Sequence, residues 1–198
     1  PEYHVIHGHM TNTAALYMPI AKKYGKVKCC IAHSHLTQAR PGLAGKVTNI
    51  LHKPVPKIAT DYFACSEMAA HWIFHEKDIN QGKVKVIKNG VDPKRFHYDV
   101  DKANKIKKDL GVEGKFVIGN VARFKEEKNH TFQIDIINEI VKQKKDAVLM
   151  LVGDGELRPI IEKKVKNLGL ENNVKFMGIR SDVPDLMLAM DWFVWLAW

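Results

Sequence analysis

The sequence predicts an α/β protein built on parallel sheets, and three observations carry that prediction. Short apolar runs with the length of buried strands recur along the 198 residues, the clearest being Ala147 to Gly153, AVLMLVG. An unbroken run of this kind fits a parallel strand covered on both faces. Between these runs lie segments of helical period, and the joints between them are rich in Gly, Asn and Asp. Strand and helix alternate throughout, which is the α/β pattern, and two such halves meeting near residues 92–114 give two Rossmann-like domains. No internal repeat is visible beyond that alternation.

Residues 1–9, PEYHVIHGH, read as a strand ending in a His-Gly-His turn. A helix from about Thr11 to Tyr24 follows, with Ala14, Ala15, Met18 and Ala21 as its apolar content, Pro19 to kink it and Gly25 to close it. Val27 to Ala32 is a second strand that ends in His33-Ser34-His35. His7, His9, His33 and His35 therefore stand in two strand-end turns. Neither pair has the i,i+4 helical spacing of a zinc site and no carboxylate lies close in sequence, so hydrogen-bonding or acceptor-binding histidines are expected and no metal. Thr37 to Lys53 reads as helical beyond Pro41-Gly42, ending before Pro54 and Pro56. Ile58 to Cys65 is another strand, Ser66 an N-cap for a helix running towards Lys77, and Lys83 to Ile87 a strand leaving through the turns Asn89-Gly90 and Asp92-Pro93.

From Asp92 to Gly114 the chain is charged and poor in apolar residues, with one short helix around Lys102 to Leu110. It is read as a linker between domains at 1–92 and 115–198. The second domain opens on the most informative stretch, Lys115 to Thr131, KFVIGNVARFKEEKNHT. Phe116 to Ile118 is a buried strand, and the chain turns through Asn120 to Phe124 into a helix. Phe132, Ile136 and Ile140, flanked by Ile137 and Val141, are expected to face inward. Gln133, Asp135, Asn138 and Glu139 are expected to face outward, with Asn129 as N-cap. Such a turn lies at the carboxyl edge of a parallel sheet, where open α/β folds bind ligands. It carries Arg123 and Lys128, a guanidinium fork and a point charge suited to a diphosphate, with solvated loop cations as the alternative. After AVLMLVG, the glycines of Gly153-Asp154-Gly155 let backbone approach a ligand, and Pro159 sits near the first turn of the next helix. Lys175 to Gly178 is a strand, Asp182 to Met190 a short helix, and Trp192-Phe193-Val194 begins a further strand.

Thirty-one Lys and Arg against 22 Asp and Glu give a net charge of +9, which favours anionic partners. No nucleic-acid motif accompanies the lysines, and many fall on helix faces, so nucleic acid is not expected; phosphorylated small molecules and anionic lipid headgroups are. Cys29, Cys30 and Cys65 are odd in number and lie in strand-like apolar segments, as buried free thiols of a reducing compartment do. No apolar run reaches the roughly 18–20 residues that span a bilayer. The chain opens on Pro1 and ends on an apolar Trp195-Leu196-Ala197-Trp198, and both ends read as cut, so a fragment of a longer protein is expected.

Five segments in order, VIKNGVDPKRF (Val86 to Phe96), IGNVARFKEEKNH (Ile118 to His130), LVGDGEL (Leu151 to Leu157), VKFMGIRSDVPDLM (Val174 to Met187) and AMDWFV (Ala189 to Val194), resemble the retaining family-4 glycosyltransferases of GT-B fold, of the kind that build capsular or exopolysaccharides. HVIHGH, IAHSH and DYFACSE resemble the N-terminal half of that family, so the likeness covers nearly the whole chain. The resemblance implies sugar transfer from a nucleotide-diphosphate sugar, commonly a UDP-sugar, to a saccharide or lipid-linked acceptor. It implies that Arg123 and Lys128 neutralise the donor diphosphate, that Gly153 and Gly155 line the donor site, and that the loop around Gly178 reads the nucleobase. It gives His33 a catalytic place near the sugar and acceptor, with His7, His9 and His35 on the acceptor side. A metal or other cofactor is not expected, because fixed cations do the work at the diphosphate. The implied place is the cytoplasm, with a possible contact with anionic lipid at the inner face of the membrane. Ala122 stands where many members have glycine, and Trp195-Leu196-Ala197-Trp198 stands where the family has a Pro-Ser segment followed by a Glu-x7-Glu pair, so the fragment alone is expected to be inactive. Two other readings stay open: a GT-B nucleotide-sugar epimerase, and a basic anion- or membrane-binding remnant.

Overall fold

The computed structural model describes residues 3–9, 11–39 and 42–196, and these form two compact units, Pro1–Val91 and Asp92–Trp198. In the first unit β1 (Val5–Gly8), β2 (Cys29–Ser34), β3 (Asp61–Ala64) and β4 (Val84–Val86) make a parallel sheet in that order. Helix α1 (Thr11–Lys23) joins the first two strands and buries Ala14 and Met18 against Cys30, Ala32 and Ala64. The helix expected to end before Pro54 is α2 (Leu43–Leu51), and a further short helix, α3 (Val55–Ile58), follows it. The prolines occupy the start of α3, where a missing N–H costs nothing, and so begin a helix rather than only ending one. Ser66 caps α4 (Glu67–Ile73), its hydroxyl oxygen accepting from the Ala69 N–H at 3.2 Å. That helix stops at Phe74, short of Lys77, and α5 (Glu76–Asn80) starts afresh. Cys29, Cys30 and Cys65 are all free thiols.

The second unit has the strand order β7-β6-β5-β8, all parallel, from β5 (Val117–Val121), β6 (Val148–Val152), β7 (Val174–Gly178) and β8 (Trp192–Phe193). Renumbered from its first strand this order is 3-2-1-4, with the reversal between β5 and β8. Both faces of the sheet are covered. Helices α7 (His130–Gln143) and α8 (Arg158–Asn167) bury Ile134, Ile137, Ile161 and Val165 on one side. On the other, Val112 and the helix α9 (Val183–Leu188) pack Leu186 against Val117, Val148 and Met150. This double cover is why all five residues of β6 are buried.

The segment read as a linker, 93–114, groups with the second unit. It opens as a 3-10 turn at Pro93–Phe96 and continues as α6 (Val100–Asp109), whose Ala103 is buried. Lys102 reaches Asp185 on α9 at 2.5 Å, and Lys107 reaches Asp191 at 2.7 Å. No helix among the described residues is long and apolar enough to cross a membrane.

Candidate functional site

The carboxyl ends of β5, β6 and β7 build one open pocket of about 520 Å³, lined by Arg123, Gly153, Asp154, Gly155 and Ile179. Backbone hydrogen bonds lock its turns together. The Ala122 N–H donates to the Val152 carbonyl at 3.0 Å, and the Phe124 N–H to the Asp154 carbonyl at 3.0 Å. Phe124 is fully buried and anchors the turn, leaving Arg123 between the two bonds and facing solvent. Among the described residues no hydrogen bond or ion pair engages the Arg123 guanidinium.

The glycines serve this junction. A Cβ on Gly153, whose φ is +132°, would stand 2.1 Å from the Ala122 carbonyl oxygen; one on Gly155 would stand 2.5 Å from that of Phe124. Glycine is required there so that the β6 turn can lie directly on the β5 turn. Gly178 joins the same edge: its carbonyl accepts from the Gly153 N–H at 2.8 Å, at a φ of +67°. Ile179 follows, 85% exposed. Asp154 accepts from the Gly155 N–H at 2.7 Å and from Arg158 at 3.0 Å, and the first of these contacts leads in holding its carboxyl below the usual range. Arg158 also donates to Glu162, so Asp154 and Arg158 largely satisfy one another.

Lys128 is placed differently. Its ammonium lies 4.3 Å over the Trp195 ring, beyond β8, rather than in the pocket lining. The Gln133 amide donates to the Lys128 carbonyl at 3.0 Å, and this is why Gln133, expected on the outer face of α7, is 2% exposed. Phe132, expected inward, is half exposed, while Ile134 and Ile137 take the core. Asn129 is not a side-chain cap either. It holds φ +46°, the left-handed conformation that asparagine tolerates, and its side chain makes no capping bond. Asn120 was not singled out in the sequence, yet its buried amide donates to the Val194 carbonyl at 2.7 Å and ties the exit of β8 to β5.

In the first unit, parallel pairing sets Val5 opposite Cys29 and Gly8 opposite Ala32. His7 and His9 then fall on the same face as His33 and His35. The four rings stack with neighbouring centroids 4.1–5.2 Å apart. His7 Nε2 lies 3.1 Å from His33 Nδ1, and His9 Nδ1 lies 2.9 Å from His35 Nε2. Phe63 closes the floor edge-on to His7 and His33. His33 is 5% exposed beneath the others; burial first, and then the neighbouring imidazoles, lower its pKa to about 4. His7 and His35 are lowered for the same reasons.

The family description Glycosyl transferases group 1 matches residues 101–197, and Glycosyltransferase Family 4 matches residues 2–95. The chain belongs to the family-4 glycosyltransferases of GT-B fold. It is 28% identical over 196 residues to EpsF of Bacillus subtilis, covering 97% of this chain and 51% of that protein. It is 25% identical over 201 residues to the UDP-Gal:alpha-D-GlcNAc-diphosphoundecaprenol alpha-1,3-galactosyltransferase of Escherichia coli, covering 98% and 51%. The crystal structure of Anabaena Alr3699/HepE in complex with UDP-glucose superposes with a TM-score of 0.80 at 25% identity, covering 98% of this chain and 53% of that one. This glycosyltransferase chain thus spans about half the length of the relatives it matches.

Proposed function

We propose that the whole protein transfers a sugar from a nucleotide-diphosphate sugar to a saccharide or lipid-linked acceptor in surface polysaccharide synthesis, with retention at the anomeric carbon. The observation that carries this is the Arg123 guanidinium, unpaired among the described residues and carried beside an open pocket by a backbone that the interlocked turns of β5 and β6 hold in place. Breaking the bond at the anomeric carbon leaves charge on the diphosphate. A guanidinium held in place beforehand stabilises that charge more in the transition state than in the ground state. Lys128, whose ammonium lies over the Trp195 ring outside the pocket lining, serves as a second cation only by leaving that ring, and with both cations at the diphosphate the transfer step requires no metal. Gly178 and Ile179 offer backbone and an apolar face to a nucleobase. The names of two relatives, one using UDP-Gal and one crystallised with UDP-glucose, favour a UDP-sugar.

The acceptor falls to the first unit, where His7, His9 and His35 present ring nitrogens around His33 for sugar hydroxyls. Leu16, Ile20 and Tyr24 stand exposed at four-residue spacing on and just after α1, beside Lys22 and Lys23. An apolar stripe edged with lysine suits shallow contact with an anionic membrane, where a lipid-linked acceptor and the cytoplasmic pool of nucleotide sugars meet. The test is a transfer assay on the full-length protein with a panel of UDP-sugars and a diphosphate-lipid acceptor. Product with an α linkage from one UDP-sugar, lost in Arg123→Ala, is the expected result. Turnover that survives in Arg123→Ala, or interconversion of the free UDP-sugar with no transfer, would overturn it.

A further inference from the structure

The histidine cluster of the first unit has a geometry that acceptor binding does not require. Ligand nitrogens of His7, His9 and His33 all lie within 4.8 Å of one another. Tetrahedral zinc with bonds of about 2.0–2.1 Å needs nitrogens roughly 3.4 Å apart, and the His7 to His33 separation of 3.1 Å is already close to that. That separation is measured to His33 Nδ1, the nitrogen turned towards His7; the opposite nitrogen, Nε2, is buried without a hydrogen-bond partner among the described residues and lies outside this site. His9 is held by His35 through Nδ1, which leaves its Nε2 to ligate. A second contact of this kind fixes the tautomer of a metal-bound imidazole. The strands themselves set the spacing, since β1 and β2 are neighbours in the sheet and Phe63 backs both rings.

We infer that His7, His9 and His33 form a binding site for a zinc-class divalent cation that clips the end of β1 to the end of β2, with His35 orienting His9. Linear spacing argued against a metal because it weighed each His-x-His pair alone; the sheet makes one site of two pairs. Three imidazoles and no carboxylate select zinc, cobalt, nickel or copper and not magnesium or calcium. The fourth position is open to solvent on the side of His7 and His9, both exposed. The inference concerns the first unit alone and is independent of the donor contacts assigned to Arg123, but it takes as ligands the His7, His9 and His33 rings that the proposed function places at the acceptor.

The test is calorimetric titration of zinc chloride into the full-length protein, with cobalt chloride as a spectroscopic probe and magnesium chloride as the control. One zinc per chain is expected to disappear on His7→Ala/His9→Ala, the affinity falling at least about 100-fold. Cobalt should give the intense visible bands of a tetrahedral ion in the wild type and lose them in the variant. His9→Ala alone serves as a second variant, and both positions are exposed, so the fold is expected to persist by circular dichroism. Unchanged zinc affinity in either folded variant, or magnesium binding as tight as zinc, would overturn the inference.

Discussion

The proposed transfer turns on Arg123. Its side chain is exposed and unpaired among the described residues, so Arg123→Ala should change unfolding free energy by less than about 0.5 kcal/mol. It should also lower kcat by about 10²–10³, as loss of a fixed donor to developing charge does. Urea unfolding and initial rates check the two halves of that statement separately. Gly153 is the reverse case: a Cβ there meets the Ala122 carbonyl at a φ of +132°, so Gly153→Ala should cost about 1–3 kcal/mol and loosen the turn that carries Arg123. His130 supplies a pH signature. It is 2% exposed against the Phe124 ring, both ring nitrogens lack partners among the described residues, and burial followed by the Lys128 charge lowers its pKa to about 4. The unfolded chain then binds the extra proton between about pH 6.5 and 4. Its contribution is therefore full above pH 6.5, falls as pH drops to about 4, and changes no further below. The loss amounts to about 3 kcal/mol, and His130→Leu should flatten this part of the stability–pH curve.

At the scale of elements, Asp191 holds the reversal of the second sheet together. One carboxylate oxygen accepts from the Val117 N–H at 2.7 Å and the other pairs with Lys107 of α6. Asp191→Ala leaves a backbone donor and an ammonium without partners and should cost about 1–3 kcal/mol by denaturant unfolding, while Lys102→Ala, in an exposed pair, should cost less than about 1. The strands were legible because their apolar runs are short, continuous and bounded by glycine or polar turns. The orientation of α7 was not. Isoleucines at 134, 136, 137 and 140 spread apolar character over more than one face, and the phase was set instead by the left-handed Asn129 and by Gln133 turning in to bond Lys128. The division of the helix after Ser66 was hidden for a different reason, since Phe74 ends it by packing into the core and not by any breaker in the sequence.

For the whole molecule, the two-unit α/β organisation could be read from the alternation of strand and helix, and the four residues expected on the donor side, Arg123, Gly153, Gly155 and Gly178, lie along one sheet edge. What the sequence could not show was contact across strands: the interlocked turns, the Lys128–Trp195 stacking and the assembly of four histidines all depend on which strands are neighbours. Net charge of +9 leaves two modes of anion binding to distinguish. A diphosphate bound in the pocket beside Arg123 should lose affinity only modestly with added salt, whereas a phosphate-tracking surface would lose it steeply. Calorimetric titration of UDP into the full-length protein, beside Arg123→Ala, tests the central claim most directly. The account predicts binding that weakens at least about tenfold in the variant, with little change between low and physiological salt. UDP bound equally well by both proteins, or bound by neither, would contradict it.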